Sequence, residues 1–579
     1  MLRFVQDISK AATDSLKVVS TRLKTMSSTH TTTPPVHHQA ENGKNEFIHR
    51  VKILNLPPHE INSTKRLLQS HGIYKFKKAP KWEYAFLNCE TEEAARSAMS
   101  KLQGVEFKKK TLVTEYSKVS EKAFRSRFET KKKKVEDIVE IDTRTPTEKL
   151  ADQVTPLYKV PYHEQVAKKH KLGARYMNTL RKKVHALPEI NDEGKEQISW
   201  TNTLEGMNCE ILDTIQSPDI NGYRTKCEFT IGKNLEGKET VGFLLGLYRD
   251  GITAVLSSDE CLHVPEKAKE IAKTMENYIR ESDYDVYDRV EKVGVWRSIM
   301  TRTQRTGDIM ILIQMNTKEL SDEQVNAEKK KLVDYWNKSD IHATTLMLQI
   351  WNGDSNGITD KGTTEILTGD GYVYEEILGC RFRISSSAFF QVNTPATELL
   401  YSKCAEWSNI NENKKTTLLD LCCGTGTIGI TMATKVDRVV GIEMIPEAIV
   451  DAKANALMNN ITNVQYYASK VEEKIDIVAN EKNEEVVAIL DPPRNGVHTS
   501  VIRAVRESEQ IQKVIFISCD AKQAMQNFIG LCRPTSNRFK GLPFKPSRAV
   551  SIDLFPHTDH CELMIEFVRI NQGTTEIKV

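Results

Sequence analysis

LLDLCCGTGTIGITMA, residues 418–433, reads as an apolar strand that delivers Asp420, a glycine turn at Gly424 and Gly426, and a helix beginning at Thr427. Glycine is needed in such a turn because a ligand comes within backbone contact distance and the chain must bend sharply into a helix whose first amides face that ligand. The spacing G-T-G-T-I-G suits any nucleotide cofactor, dinucleotides included. RVVGIEMIPEAIVDAKANALMNN, 438–460, then gives a second strand ending in Glu443 and a second helix. A carboxylate at that strand end suits ribose hydroxyls.

The stretch VVAILDPPRNGV, 486–497, narrows the choice of ligand. It is a buried strand delivering Asp491 to two prolines, a pattern typical of nucleic-acid methyltransferases and without use in a dehydrogenase. The bland alternative, Asp491 as a helix cap and Pro492–Pro493 as a loop stop, is outweighed by three strand-end signals in register, so the expected cofactor is S-adenosylmethionine. QKVIFISCDAKQAMQNF, 512–528, is a further buried strand ending at Ser518-Cys519 before a helix. Carboxyl ends of strands in an open α/β sheet form the ligand crevice, which places Cys519 in one cleft with Gly424, Glu443 and Asp491. Cys422, Cys423 and Cys532 read as inert small apolar residues. PSRAVSIDLFPHTDHCELMIEF, 546–567, supplies a strand, a turn, and His560-Cys561-Glu562 opening a last strand.

Outward from this block, 579 residues exceed what one core serves and suggest three or four domains. Apolar residues are 39% and charged residues 27% of the chain, with mean hydropathy −0.45, which excludes fibrous and membrane-bundle classes. No run approaches the ~18–20 apolar residues of a membrane helix. Eleven cysteines, none in a C-x-x-C pair, predict reduced thiols and no metal. The N-terminal stretch lacks a secretory core and carries Asp7 and Asp14, so a cytosolic or nuclear protein is expected. Net charge is only +3, but residues 101–134 carry +8 and 159–183 carry +7, leaving −12 elsewhere. Such blocks beside folded modules point to a polyanionic partner, although KKKK at 131–134 alone fits a nuclear-import signal equally well.

Residues 48–118 follow a β-α-β-β-α-β order if Tyr74–Lys78 supplies the second strand. With VKILNL at 51–56 and WEYAFLNC at 82–89, this segment resembles an RNA-recognition motif (RRM), a ferredoxin-like fold. The resemblance implies base stacking on Tyr84 and Phe86, while Lys52 and Glu83 replace the usual aromatic and glycine and weaken that face. Strand-like alternations between 200 and 365, around a helix at 265–282, give a mostly antiparallel α+β domain. The expected organisation is a disordered lead-in (1–45), an RRM-like domain (46–118), a basic helical linker (119–199), a central α+β RNA-binding domain (200–365), a Rossmann-like class I methyltransferase domain (366–570) and a tail (571–579).

From FFQVN at 389–393 through the glycine turn, DPPRNG, the Ser518-Cys519 strand and D-L-F-P-x-T-x-H-x-E at 553–562, the chain resembles the RNA uracil-5-methyltransferase family. The resemblance implies that Cys519 adds to carbon 6 of uracil, that carbon 5 is methylated, and that Glu562 then removes the carbon-5 proton. It likewise implies that Gln391, Cys422, Thr427, Glu443 and Asp491 line the S-adenosylmethionine pocket, with Gly424 and Gly426 shaping the turn, and that His560 orients rather than reacts. The family continues its nucleophile as Cys-Asn-Pro; here Asp520-Ala521 follows, expected to raise the thiol pKa. Some bacterial relatives hold an iron–sulfur cluster, but Cys209, Cys227 and Cys261 are too widely spaced for it. The implied substrate is the T-loop uridine of tRNA, with ribosomal or messenger RNA, or an RNA-folding role with weak residual activity, as open alternatives. Arg494 after DPP argues against a cytosine-5 enzyme, which often has cysteine there. A monomer is the expected state.

Overall fold

A computed structural model describes residues 47–58, 60–74, 76–78, 82–89, 91–108, 110–120, 144–188, 190–202, 209–246, 253–408, 415–478 and 485–570. The lead-in 1–45, KKKK at 131–134 and the tail 571–579 lie outside them. The chain divides into two compact units, Met1–Asp142 and Thr143–Val579.

In the first unit Phe47–Leu54 pairs antiparallel with Ala85–Cys89 on one side and Val113–Ser120 on the other. Alternation sends Val51, Ile53, Ala85 and Leu87 to one face, where Leu68, Ala95, Ala98 and Leu102 of two helices, Ile61–Ser70 and Glu92–Leu102, cover them. Thr91 caps the second helix, its hydroxyl accepting from the Ala94 amide at 3.2 Å. Among the described residues, the strand expected at Tyr74–Lys78 is represented by a single bridge, Lys77 to Phe86. Of its two aromatic side chains only Phe76 packs on the core, while Tyr74 is 72% exposed, so little apolar burial holds a longer strand there.

The second unit is built on a sheet whose seven strands are β1 (Thr416–Leu421), β2 (Arg438–Glu443), β3 (Val464–Ala468), β4 (Glu485–Leu490), β5 (Ile511–Ser518), β6 (Phe544–Ile552) and β7 (Glu562–Arg569). Their order is β3-β2-β1-β4-β5-β7-β6, with Glu210–Ile211 added as a short outer strand beside β6. The first five are parallel and β7 runs antiparallel to both neighbours. Burial on both faces explains why β4 and β5 carry continuous apolar runs, 486–490 and 514–517, instead of alternating ones. This is the Rossmann-like arrangement expected from the strand-end signals, and it places every strand end discussed above on one edge.

Three helices matter to the site: α1 (Tyr162–His185), α2 (Thr427–Met432) and α3 (Ala521–Cys532). Residues read as a linker thus include α1, whose Met177, Leu180 and Val184 join the core around Phe516 and Phe528. A second sheet of seven strands between Lys226 and Thr368 has sequence order 7-6-5-4-1-2-3 and is antiparallel except where Ile309–Met315 meets Thr345–Ile350. Its Met300, Met310 and Leu312 share a core with Leu418 and Val487 of the first sheet.

Candidate active site

Five adjacent strands of the first sheet each present a polar side chain at one edge. Glu443 ends β2, Asp420 is the penultimate residue of β1, Asp491 follows β4, Cys519 follows β5 and Glu562 starts β7. The register Ser518↔Leu563 sets Cys519 and Glu562 one residue beyond the same ladder pair, on neighbouring strands.

The glycine turn makes one half of the site. Cys422, Gly424 and Gly426 all have positive φ, at 69°, 52° and 79°. At Gly426 a Cβ would stand 2.6 Å from the Tyr466 hydroxyl, whereas at Gly424 it would enter open space. Gly424 leaves that space to a ligand, while Gly426 is glycine because nothing larger fits. Glu443 accepts from the Gly424 amide at 3.2 Å and from the Ile445 amide at 2.9 Å, which ties the second strand end to the turn.

Behind the turn lies a narrow cavity lined by Phe389, Gln391, Tyr401, Asp420, Cys422, Gly424, Thr427 and Asp491. The hydroxyls of Tyr401 and Thr427 meet at 2.9 Å. Asp420 is 1% exposed; Oδ2 accepts from the Gly429 amide at 2.9 Å and Oδ1 has no partner among the described residues. Burial pushes Asp420 up to about 7, against the Gly429 hydrogen bond and with help from the charge of Glu443. Burial and then Asp420 push Asp491 up to about 7 as well. Burial, followed by Glu443, drives the Cys422 thiol to about 12, so it is a wall of the cavity and no nucleophile.

The other half holds Cys519 and Glu562. Cys519 is half-buried, and burial, then Glu562, raises its thiol to about 11, opposed by Arg494. Glu562 is buried with one carboxylate oxygen unpartnered; burial and Asp491 hold it well above the ordinary range, again opposed by Arg494. The thiol is raised as expected, but Glu562 is the charge chiefly responsible, not Asp520. Asp520 caps α3, its carboxylate accepting from the Gln523 amide (3.1 Å) and side chain (2.6 Å).

Gln391, Cys422, Gly424, Thr427 and Asp491 therefore share one cavity, Gly426 and Glu443 shape its turn, and Cys519 and Glu562 adjoin it. His560 is exposed near Phe555. Tyr84 and Phe86 belong to the other unit, in a ring cluster with Trp82 in which Tyr84 and Trp82 stack at 4.8 Å. Sequence reasoning assigned no role to Phe389, Tyr401 or Trp82, used Asp420 only as a strand marker, and took Arg494 only as evidence against cytosine chemistry. An unpartnered acceptor at Asp420, room beside Gly424, and the exposed apolar Met444 and Ile445 next to Glu443 fit a methionine–adenosine cofactor with a polar end, a ribose and an adenine. Among the described residues no three His, Cys, Asp or Glu side chains gather as a metal site.

A family model described as tRNA (uracil-5-)-methyltransferase matches residues 326–569. The chain is 38% identical over 446 residues to mouse tRNA (uracil-5-)-methyltransferase homolog A, spanning 76% of this chain and 72% of that one. It is 33% identical to mouse tRNA (uracil-5-)-methyltransferase homolog B over 73% of this chain and 86% of the relative. The crystal structure of Pyrococcus abyssi tRNA (uracil-54, C5)-methyltransferase, in complex with S-adenosyl-L-homocysteine, shares the fold with a TM-score of 0.51 at 19% identity, covering 71% of this chain and 85% of that one. With five strand ends converging on a pocket suited to S-adenosylmethionine, the chain belongs to the tRNA (uracil-5-)-methyltransferase family and is an S-adenosylmethionine-dependent methyltransferase.

Proposed function

We propose that the chain methylates carbon 5 of the T-loop uridine of tRNA, with Cys519 as nucleophile and Glu562 as proton acceptor. The observation that carries this reading is the pairing of Ser518 with Leu563, which brings a thiol and a buried carboxylate together beside the cofactor pocket. Carbon 5 of uracil is too weak a nucleophile to be methylated unaided. As thiolate, Cys519 forms a bond to carbon 6, and the ring electrons pass to oxygen 4 as an enolate. S-adenosylmethionine, when bound, supplies an electrophilic methyl group for carbon 5. The Glu562 carboxylate then takes the carbon-5 proton, the carbon–sulfur bond breaks, and the thiolate is restored. Arg494 favours the anionic form of both groups, each of which burial disfavours.

To reach the ring atoms the uridine must leave its stack, at a cost of roughly a few kcal/mol. Exposed Lys168, Lys171, Arg175 and Lys182 recur along one face of α1, and Tyr176 beside them lies within electrostatic reach of Asp520 and Cys561 at the site edge. That row suits the phosphates of a structured RNA. In the first unit we assign an RRM-like role to the face bearing Tyr84 and Phe86. The Arg50 guanidinium lies 3.5 Å from the centre of the Phe86 ring and Lys52 5.2 Å from that of Tyr84, so RNA would meet cations and rings together.

The test is a T-loop hairpin carrying 5-fluorouridine, incubated with S-adenosylmethionine and either wild type or Cys519→Ala. Fluorine does not leave as a proton does, so wild type alone should give a covalent band on a denaturing gel. No band from wild type, despite salt-sensitive hairpin binding, would refute the assignment; a band only with ribosomal or messenger hairpins would move the substrate.

A further inference from the structure

Glu562 is the first residue of β7, and the hairpin leading to it closes on the pair Ile552↔Glu562. The loop Asp553–Cys561 thus sets the position of Glu562, and it is held from outside the sheet. Lys169 of α1, 1% exposed, donates Nζ to Asp553 Oδ1 at 2.6 Å and to the Phe555 carbonyl at 3.0 Å. One turn earlier, Gln165 accepts from the His557 amide through Oε1 at 2.8 Å, and its Nε2 lies 3.2 Å from His557 Nδ1. The Leu157 amide donates to the His557 carbonyl at 2.9 Å. His557 itself sits at φ 66°, a left-handed conformation that a non-glycine residue keeps only when its surroundings hold it.

A turn beyond Lys169, a Cβ on Gly173 would stand 2.6 Å from the Ser551 hydroxyl, so α1 rests directly on β6. A buried lysine–aspartate pair loses hydration on both charges and seldom adds stability over apolar packing; fixing one geometry is a use it can serve. The proposed chemistry uses neither Lys169 nor Gln165, and both lie outside the segment 326–569 matched by the family model.

We propose that Lys169 and Gln165 are positioning residues that clamp the 553–561 loop so that Glu562 is aimed at the carbon-5 proton. The proposal rests on the reading of Glu562 as proton acceptor. A clamp of this kind acts late, after carbon–sulfur bond formation and methylation, because only the proton removal needs Glu562 in place.

Full-length Lys169→Met and the milder Gln165→Leu, with Glu562→Gln as reference, would be assayed on a tRNA transcript with ordinary uridine and S-adenosylmethionine. Three quantities are read: kcat, KM for RNA, and the protein fraction held covalently on RNA in a denaturing gel. Expected is a fall in kcat of about tenfold or more, with KM within about twofold. The covalent fraction should rise as in Glu562→Gln, since the thiolate cannot leave while the proton remains. The proposal is overturned if folded variants turn over like wild type, or if kcat falls without covalent accumulation. It is also overturned if both variants fail to fold, since the contacts would then belong to the core and not to a clamp. Normal turnover by Glu562→Gln would instead remove the reading of Glu562 itself, whatever the other two variants do.

Discussion

Replacing Asp420 with asparagine should stabilise the protein at alkaline pH and weaken its hold on the methyl donor. Asp420 has an ordinary pKa of 3.8 and is raised to about 7 in the folded chain, chiefly by burial. Folding therefore strengthens its proton affinity, so its contribution to stability is fully present below pH ~4, is lost as pH rises from about 4 to about 7, and is constant above. Three units at 1.36 kcal/mol each give about 4 kcal/mol for that loss. Asparagine carries no charge and can still accept from the Gly429 amide. Its NH2 replaces the unpartnered Oδ1, at a pH-independent cost of about 1–3 kcal/mol. The stability difference, Asp420→Asn minus wild type, should accordingly grow by up to about 4 kcal/mol between pH 4 and pH 8, which is several degrees in Tm. Thermal melts at half-unit steps from pH 4.5 to 8.5 would follow it, and calorimetry would read the loss of donor affinity. A difference that stays flat with pH would show that Asp420 does not carry the charge burden assigned to it.

Arg494→Gln removes the cation that opposes the raised pKa of both Cys519 and Glu562; both should move further up, shifting the alkaline-rising limb of kcat/KM to higher pH by about a unit or less, and an unshifted profile would dismiss Arg494 as their partner. Gly426→Ala combines a left-handed φ with a Cβ 2.6 Å from the Tyr466 hydroxyl, and should cost about 1–2 kcal/mol of stability from backbone strain alone together with donor affinity; adding Tyr466→Phe should recover part of both, as read by Tm and calorimetry. Alanine at Lys171, Arg175 or Lys182 should each reduce the slope of log K against log salt by about 0.7–0.9 in RNA titrations while leaving donor binding unchanged.

The strand ends were legible because buried parallel strands are continuous apolar runs, so each run stops at the residue that reaches the crevice. Glu443, Asp491 and Cys519 stand out on that ground alone, and Gly424 with Gly426 marks the turn. Phe389 and Tyr401 were not legible as cavity wall, since an aromatic in sequence carries no sign of which side faces a ligand. Arg494 gave no signal as an electrostatic partner because it follows β4 whereas Cys519 follows β5, and only the sheet brings them together. The helix α1 escaped for a different reason. Its buried positions 165, 169, 173, 177, 180 and 184 follow helical spacing, yet they begin with glutamine, lysine and glycine, so the pattern looked like a solvated basic connector. A buried lysine is invisible until its aspartate is found, and here that partner lies 384 residues away.

That separation also governs how the enzyme comes into being. Glu443, Asp420 and Asp491 come from β2, β1 and β4, which lie close together in the chain, so the donor pocket needs only modest loop closures. The corner that holds Glu562 needs α1 to meet the β6–β7 loop, one of the longest closures in the chain, and such contacts form slowly because their entropy must be lost before they return anything. During synthesis every residue that lines the pocket for the methyl donor, Asp491 being the last, leaves the ribosome before Glu562 does. Catalytic competence is thus among the last properties the chain acquires, and restored turnover would be a stricter gauge of refolding than restored donor binding.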